Sequence, residues 1–294
     1  MSMAGSKRSQ AYFKYLLSLL FFGSNGVVAS RISLNSYEIV FFRTLLGSVF
    51  LIAVFLFSKG KLQGFQNKKH LMFLSISGVA MGVSWMLLFE AYTKIGVSMA
   101  TLVYYCGPVI VMALSPLIFH ERLGMGRIMG FGIVLAGMLL INGEALQQNE
   151  FSWGLLYGIL SAVMYAFMVI FNKKAKSITG LENAMLQLIV SFVTLSVFMV
   201  AKQGFPMASL SQNLFPVLFL GIVNTGIGCY LYFSSIEKLP AGTIAIFGYL
   251  EPLSAVVFAV AFLQERLSAV QILGGIFIIG GAVIGELSSL KGSR

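Results

Sequence analysis

Aspartate is absent from this 294-residue chain, so all ten acidic residues are glutamates. Charged residues make up only 10% of it, against about a quarter in a soluble domain. Such a chain lacks the polar surface to face water on every side. Its two cysteines, Cys106 and Cys229, both lie inside apolar runs, which argues against a disulfide framework or a zinc site. The two histidines, His70 and His120, sit at run edges, so a His-rich metal centre is not expected. No GxxxxGK[ST] phosphate loop occurs, so the chain carries no recognisable ATP-driven motor. Without Asp or a mid-run His, an intramembrane enzyme would also lack its acid and base. No cofactor is expected.

What the chain has in quantity is apolar length. Hydrophobic residues reach 58%, and about 20 of them in helix cross a hydrocarbon core. Ten runs of that order start near Tyr12, Ser36, Leu71, Val97, Met125, Ser152, Leu181, Leu214, Ala241 and Ser268. They are continuous, without the alternation of barrel strands. The expected fold is therefore an all-α membrane protein with ten transmembrane helices. The first run follows Lys7, Arg8 and Lys14 and superficially resembles a signal peptide, but more runs follow at once, so it reads as an uncleaved span.

The twenty Lys and Arg are distributed unevenly. With the N-terminus inside, fifteen fall in cytoplasmic segments, whereas Arg31, Lys94, Lys202 and Arg266 fall outside. That bias orients the chain with both termini in the cytoplasm. It also explains the basic excess without nucleic acid, and the spacer "SKGKLQGFQNKKH" suits anionic lipid head groups.

Shifting the sequence by 144 lays Leu87–Ile141 on Leu231–Gly285 without a gap, with eleven identities in fifty-five pairs. Tyr105 meets Tyr249, Pro108 meets Pro252, and "HERL" at His120–Leu123 meets "QERL" at Gln264–Leu267. The expected modules are residues 1–145 and 146–294, with five spans each. Because five is odd, the second copy enters the membrane from the opposite side. Inverted repeats of this kind recur in secondary transporters, with the site near the midplane.

In the first half, "GPVIVMALSPLIFHERLGMGRIMGFGIVLAGMLLI" resembles the EamA-type (RhaT-like) transporters of the drug/metabolite transporter superfamily. So does "FGYLEPLSAVVFAVAFLQERL" in the second, with Gln271 and a Gly-Gly helix after it, and "FFRTLLGSVFL" in span two is similar to a segment where that family often has an arginine. The resemblance implies a ten-helix permease of the cell membrane, the inner membrane of a bacterium. It is uninformative about the substrate, since the family moves amino acids, nucleotide-like metabolites, sugars and other small solutes.

Glu251 stands out because a carboxylate at the centre of a membrane helix costs about 2.5–3.5 kcal/mol. It lies ten residues into the run from Ala241, or about 15 Å at 1.5 Å per residue, near the midplane. Beside it Pro252 would free the Gly248 carbonyl, as Pro108 would free that of Tyr104 in span four. Paired interrupted helices are the best pointer in a sequence to a transporter site. Glu251 is expected to face a wet cavity and bind a cationic group or a proton; a structural glutamate between two helices is the alternative. Its repeat counterpart is Gly107, so the charge is asymmetric.

Arg43 lies deep in span two and is expected either to pair with Glu90 or to face the cavity, with snorkelling to the outer interface as the alternative. Asn25, Trp85, Tyr104, Tyr105, Tyr165, Asn224 and Tyr249 are further mid-span candidates for the pathway, each with helix packing as its rival role. The glycines of spans five and ten, among them Gly130, Gly137, Gly274 and Gly281, suit close helix contact, either as scaffold or between the copies of a homodimer. Together these features point to a secondary transporter for a small organic solute, an amino acid or related metabolite, working by alternating access. Proton coupling through Glu251, an uncoupled facilitator and a multidrug or cation exporter stay open. A structural membrane protein, monomeric or dimeric, is the remaining rival.

Overall fold

The computed structural model describes residues 3–58, 62, 66–121, 123–142, 153–204, 214–264 and 268–291, and in these residues it is helical without strands. The elements in order are α1 (Met3–Gly23), α2 (Asn25–Ala29), α3 (Ser36–Phe57), α4 (Lys68–Tyr104), α5 (Cys106–Phe119) and α6 (Met125–Asn142). The second half holds α7 (Trp153–Lys174), α8 (Gly180–Gln203), α9 (Leu214–Leu218), a π-helical segment (Phe219–Ile227), α10 (Gly228–Ile236), α11 (Ala241–Gly248), α12 (Leu250–Leu263) and α13 (Ala269–Lys291). Among the described residues, six stretches are long and apolar enough to cross a bilayer: Tyr37–Phe57, Lys68–Ile95, Trp153–Lys174, Gly180–Lys202, Leu214–Ile236 and Ala241–Leu263. Shorter apolar helices cover Cys106–Phe119, Met125–Leu140 and Ile272–Gly285. The chain is a multi-pass membrane protein. The loop "NGEALQQNE", most of the basic spacer and the "ERL" of the second half lie largely outside the described residues.

Most helix starts fall within three residues of the apolar runs, because the hydrophobic stretch itself sets the helix in a chain of this composition. Two depart. α1 begins at Met3, well before the expected start at Tyr12. α4 is continuous through the expected boundary between the third and fourth runs, yet its contacts show that the chain doubles back. Ser77 and Ser84 of α4 bond to Met168 and Ser161 of α7, so this limb runs antiparallel to α7. Further along, Gly154 abuts Ile95, Gly158 abuts Val103 and Gly107 abuts Tyr165, so the following limb runs parallel to α7. The Thr101 hydroxyl also reaches the Tyr92 hydroxyl at 3.4 Å, a contact nine residues apart that a straight helix cannot make.

The 144-residue shift maps α5 onto α12 and the start of α6 onto that of α13. It also pairs His120 (φ 55°) with Gln264 (φ 58°), the two non-glycine residues of positive φ among those described. Each closes its helix in the left-handed conformation, its N–H bonding to Ser115 and Ala259 respectively, again 144 apart. α6 and α13 cross antiparallel through their glycines. A Cβ on Gly130 would meet the Gly281 carbonyl at 2.5 Å, and one on Gly137 the Gly274 carbonyl at 2.6 Å. Since Gly274 is the counterpart of Gly130 and Gly281 that of Gly137, the contact is reciprocal. These glycine faces are thus taken up within the chain.

The core between α4, α7 and α8 contains a polar knot that the sequence reading did not single out. Asn172 donates to Asn183 at 2.9 Å and to Gln187 at 3.2 Å, and all three are buried. Fully paired amides of this kind lock helix register in a low-dielectric interior.

Candidate functional site

Both long kinked spans break at a tyrosine. α4 ends at Tyr104 and α5 starts at Cys106, with Tyr105 at φ −71°, ψ 2° between them. α11 ends at Gly248 and α12 starts at Leu250, with Tyr249 at φ −73°, ψ −6°. Each break lies three residues before a proline, where the missing N–H leaves the preceding turn unsupported. The two breaks touch. The Tyr249 hydroxyl donates to the Tyr105 carbonyl at 2.6 Å, and the rings lie 6.0 Å apart.

Around this junction the structure gathers aromatic rings from both halves. Tyr104 meets Tyr165 edge-on at 5.5 Å, and the Tyr165 hydroxyl lies 3.2 Å from that of Tyr232. Tyr15 packs 5.6 Å from Tyr232 and donates to the Ile244 carbonyl at 2.8 Å. The asymmetry of the repeat now has a steric cause. A Cβ at Gly107 would stand 2.6 Å from the Tyr165 ring, so the place held by a carboxylate in the second half is filled by an aromatic ring in the first.

Arg43 does not meet Glu90. Its Nε donates to Thr225 Oγ1 at 2.9 Å, and its guanidinium carbon lies 5.1 Å from the Trp85 ring centre. Glu90 instead pairs with Lys202 and accepts from Tyr37 near the far end of α4. The depth of Arg43 and Glu90 was legible in the sequence. The lateral neighbours of the two helices were not, and Lys202 on α8 proves nearer to Glu90. Arg43 and Glu251 are close enough to influence each other electrostatically, yet form no ion pair. Glu251, Arg43, Trp85, Tyr104 and Tyr165 are each partly exposed.

The remaining candidates make contacts between helices. Asn224 is wholly buried, and its amide nitrogen reaches the Phe21 carbonyl, the Ser24 hydroxyl and Asn25 Oδ1 at 2.9–3.0 Å. It holds the break between α1 and α2 against the π-helical segment. Gly248 leaves the Tyr15 hydroxyl and Pro108 room, with 3.6 Å and 3.8 Å to an added Cβ.

Several contributors escaped the sequence reading. Tyr15, Tyr92 and Tyr232 sit in apolar runs, where a tyrosine is unexceptional. The π-helical segment "FLGIVNTGI" had a weak signal in its glycines: Gly221 abuts Leu46 and Gly226 abuts Phe50, which brings α3 close. Glu121 of "HERL" accepts from the N–H groups of Ala241 at 2.7 Å and Gly242 at 3.1 Å, capping α11. Arg127, expected as a cytoplasmic loop residue, is instead buried, 3.9 Å from Glu121.

Comparison with known proteins agrees with this arrangement. Residues 10–143 and again 152–285 match the EamA-like transporter family. The uncharacterized transporter YxxF of Bacillus subtilis is 27% identical over 292 residues, covering 96% of this chain and 91% of its own. Protein PecM of Dickeya dadantii is 26% identical over 227 residues, 74% of each chain. One crystal structure superimposes with a TM-score of 0.80 over 94% of this chain and 98% of its own, at 17% identity, a likeness of fold. With both halves matched and the helical bundle shared, the chain belongs to the EamA-like transporter family, which makes it a membrane transporter rather than an enzyme.

Proposed function

We propose that the protein is a secondary transporter that carries a small organic solute, an amino acid or related metabolite, across the plasma membrane by alternating access. Ten spans in two inverted modules, 1–145 and 146–294, with both termini cytoplasmic, frame this reading, and the Lys/Arg bias supports the orientation. One observation carries it: a partly exposed Glu251 stands at mid-span beside two touching helix breaks, one from each half. Helices already interrupted at one level have the freedom to bend there, and a carboxylate at that depth needs a partner. Glu251 supplies the negative charge, either for a cationic group of the solute or for a coupled proton. The tyrosine rings around it also suit an organic cation, so a cation exporter is the second reading.

A metabolite screen by thermal stabilisation of the purified protein identifies the solute. Uptake into proteoliposomes under an imposed pH gradient then compares wild type with Glu251→Gln. Loss of the pH-driven component with residual exchange supports proton coupling. Full pH-driven uptake by the variant removes Glu251 from that role.

A further inference from the structure

Arg43 carries a charge that no ion pair within the described residues takes up. It is embedded in α3, about two turns in from the start of a bilayer-length helix, where a guanidinium inside the membrane needs an anion or strong dipoles. Its Nε is committed to Thr225 Oγ1 at 2.9 Å. The Trp85 ring 5.1 Å away offers a cation–π contact. Among the described residues, the ion pairs are Glu121–Arg127, Glu90–Lys202 and Glu237–Lys238, and none includes Arg43. The guanidinium side chain is nevertheless partly exposed.

Thr225 is built to aim that guanidinium. It is fully buried, and its hydroxyl donates to the Leu220 carbonyl at 2.8 Å, five residues back, while accepting from Arg43. Five residues is the spacing of the π-helical segment in which both lie. The hydroxyl's one proton goes to Leu220, so it meets Arg43 only as an acceptor. With Nε tethered to Thr225 and the guanidinium carbon over the Trp85 ring, the two terminal nitrogens have no hydrogen-bond partner among the described residues. Two parallel N–H groups match a carboxylate in bidentate geometry, the stronger class of charge-assisted bond.

We propose that the terminal nitrogens of Arg43 form an anion-binding subsite for a carboxylate of the transported solute, with Thr225 as its positioning residue. This rests on the transporter reading for the source of the ligand and adds to it the ligand's chemistry.

The test is chemical and requires no transport. The full chain in detergent is treated with phenylglyoxal, which modifies accessible guanidinium groups, and modification at Arg43 is read by mass spectrometry. Benzoate is the carboxylate probe and benzamide its neutral isostere. Benzoate is expected to slow Arg43 modification severalfold while benzamide does not. Thr225→Val should lose that protection and Thr225→Ser should keep it, both eluting as folded protein. An unreactive Arg43 in the folded chain, or equal protection by benzamide, overturns the subsite. Undiminished protection in Thr225→Val overturns the positioning role. Uptake reads the Glu251 proposal and benzoate protection reads this subsite without any transport, so the failure of one and the failure of the other are separate results.

Discussion

The Tyr249 hydroxyl donates a 2.6 Å hydrogen bond to the main-chain carbonyl of Tyr105, its own counterpart 144 residues earlier. Each tyrosine is the residue at which its span is interrupted, so this bond ties the two interruptions together. Tyr249→Phe keeps the ring and removes the donor. Leaving a buried carbonyl unpaired costs about 1–3 kcal/mol, so the variant should melt several degrees lower in detergent. An unchanged melting temperature would show that the bond contributes nothing to the junction.

Gly107 and Tyr165 exclude one another sterically. Gly107→Ala puts a methyl group 2.6 Å from the ring, an overpacking that costs about 1–3 kcal/mol. Combining it with Tyr165→Leu should relieve the clash, so the double variant is more stable than the sum of the singles predicts. Thermal unfolding of the four proteins reads this directly. Simple additivity would mean the backbone moves aside.

Glu121 caps α11 with both carboxylate oxygens. Glu121→Ala should cost about 0.5–2 kcal/mol, the usual loss of a cap, and Glu121→Gln less, since one acceptor survives. The expected melting order is wild type, then Gln, then Ala. A Gln variant as unstable as Ala would mean that the charge, through Arg127 and the helix dipole, dominates.

Glu90 is coupled to Lys202 and not to Arg43. A double-mutant cycle on Glu90→Gln and Lys202→Met should show an interaction of about 1 kcal/mol or less, because the lysine is 40% exposed and screened by solvent. The matching cycle with Arg43→Gln should be additive within about 0.5 kcal/mol. Reversed results would restore the Arg43–Glu90 pair expected from depth alone.

The order of residues by itself determined where most of this chain is helical, where its two proline-bearing spans are interrupted and that stretches of its two halves correspond. Those are local properties. An apolar run in lipid must satisfy its own backbone, a proline disrupts the turn before it, and a left-handed "His120" or "Gln264" ends a helix without reference to distant residues. Even the capping box at Asn35 and Glu38, with reciprocal bonds of 3.0 and 3.1 Å, was legible as N-x-x-E although the reading passed over it. What only the tertiary structure decided is which interrupted helix meets which. It gave Arg43 to Thr225 rather than Glu90, set Tyr165 in the space opposite Gly107, and brought Glu121 to the start of α11. Depth in the membrane follows from counting residues along one helix. The neighbour at that depth depends on how all the helices pack sideways, and that packing is a property of the whole bundle.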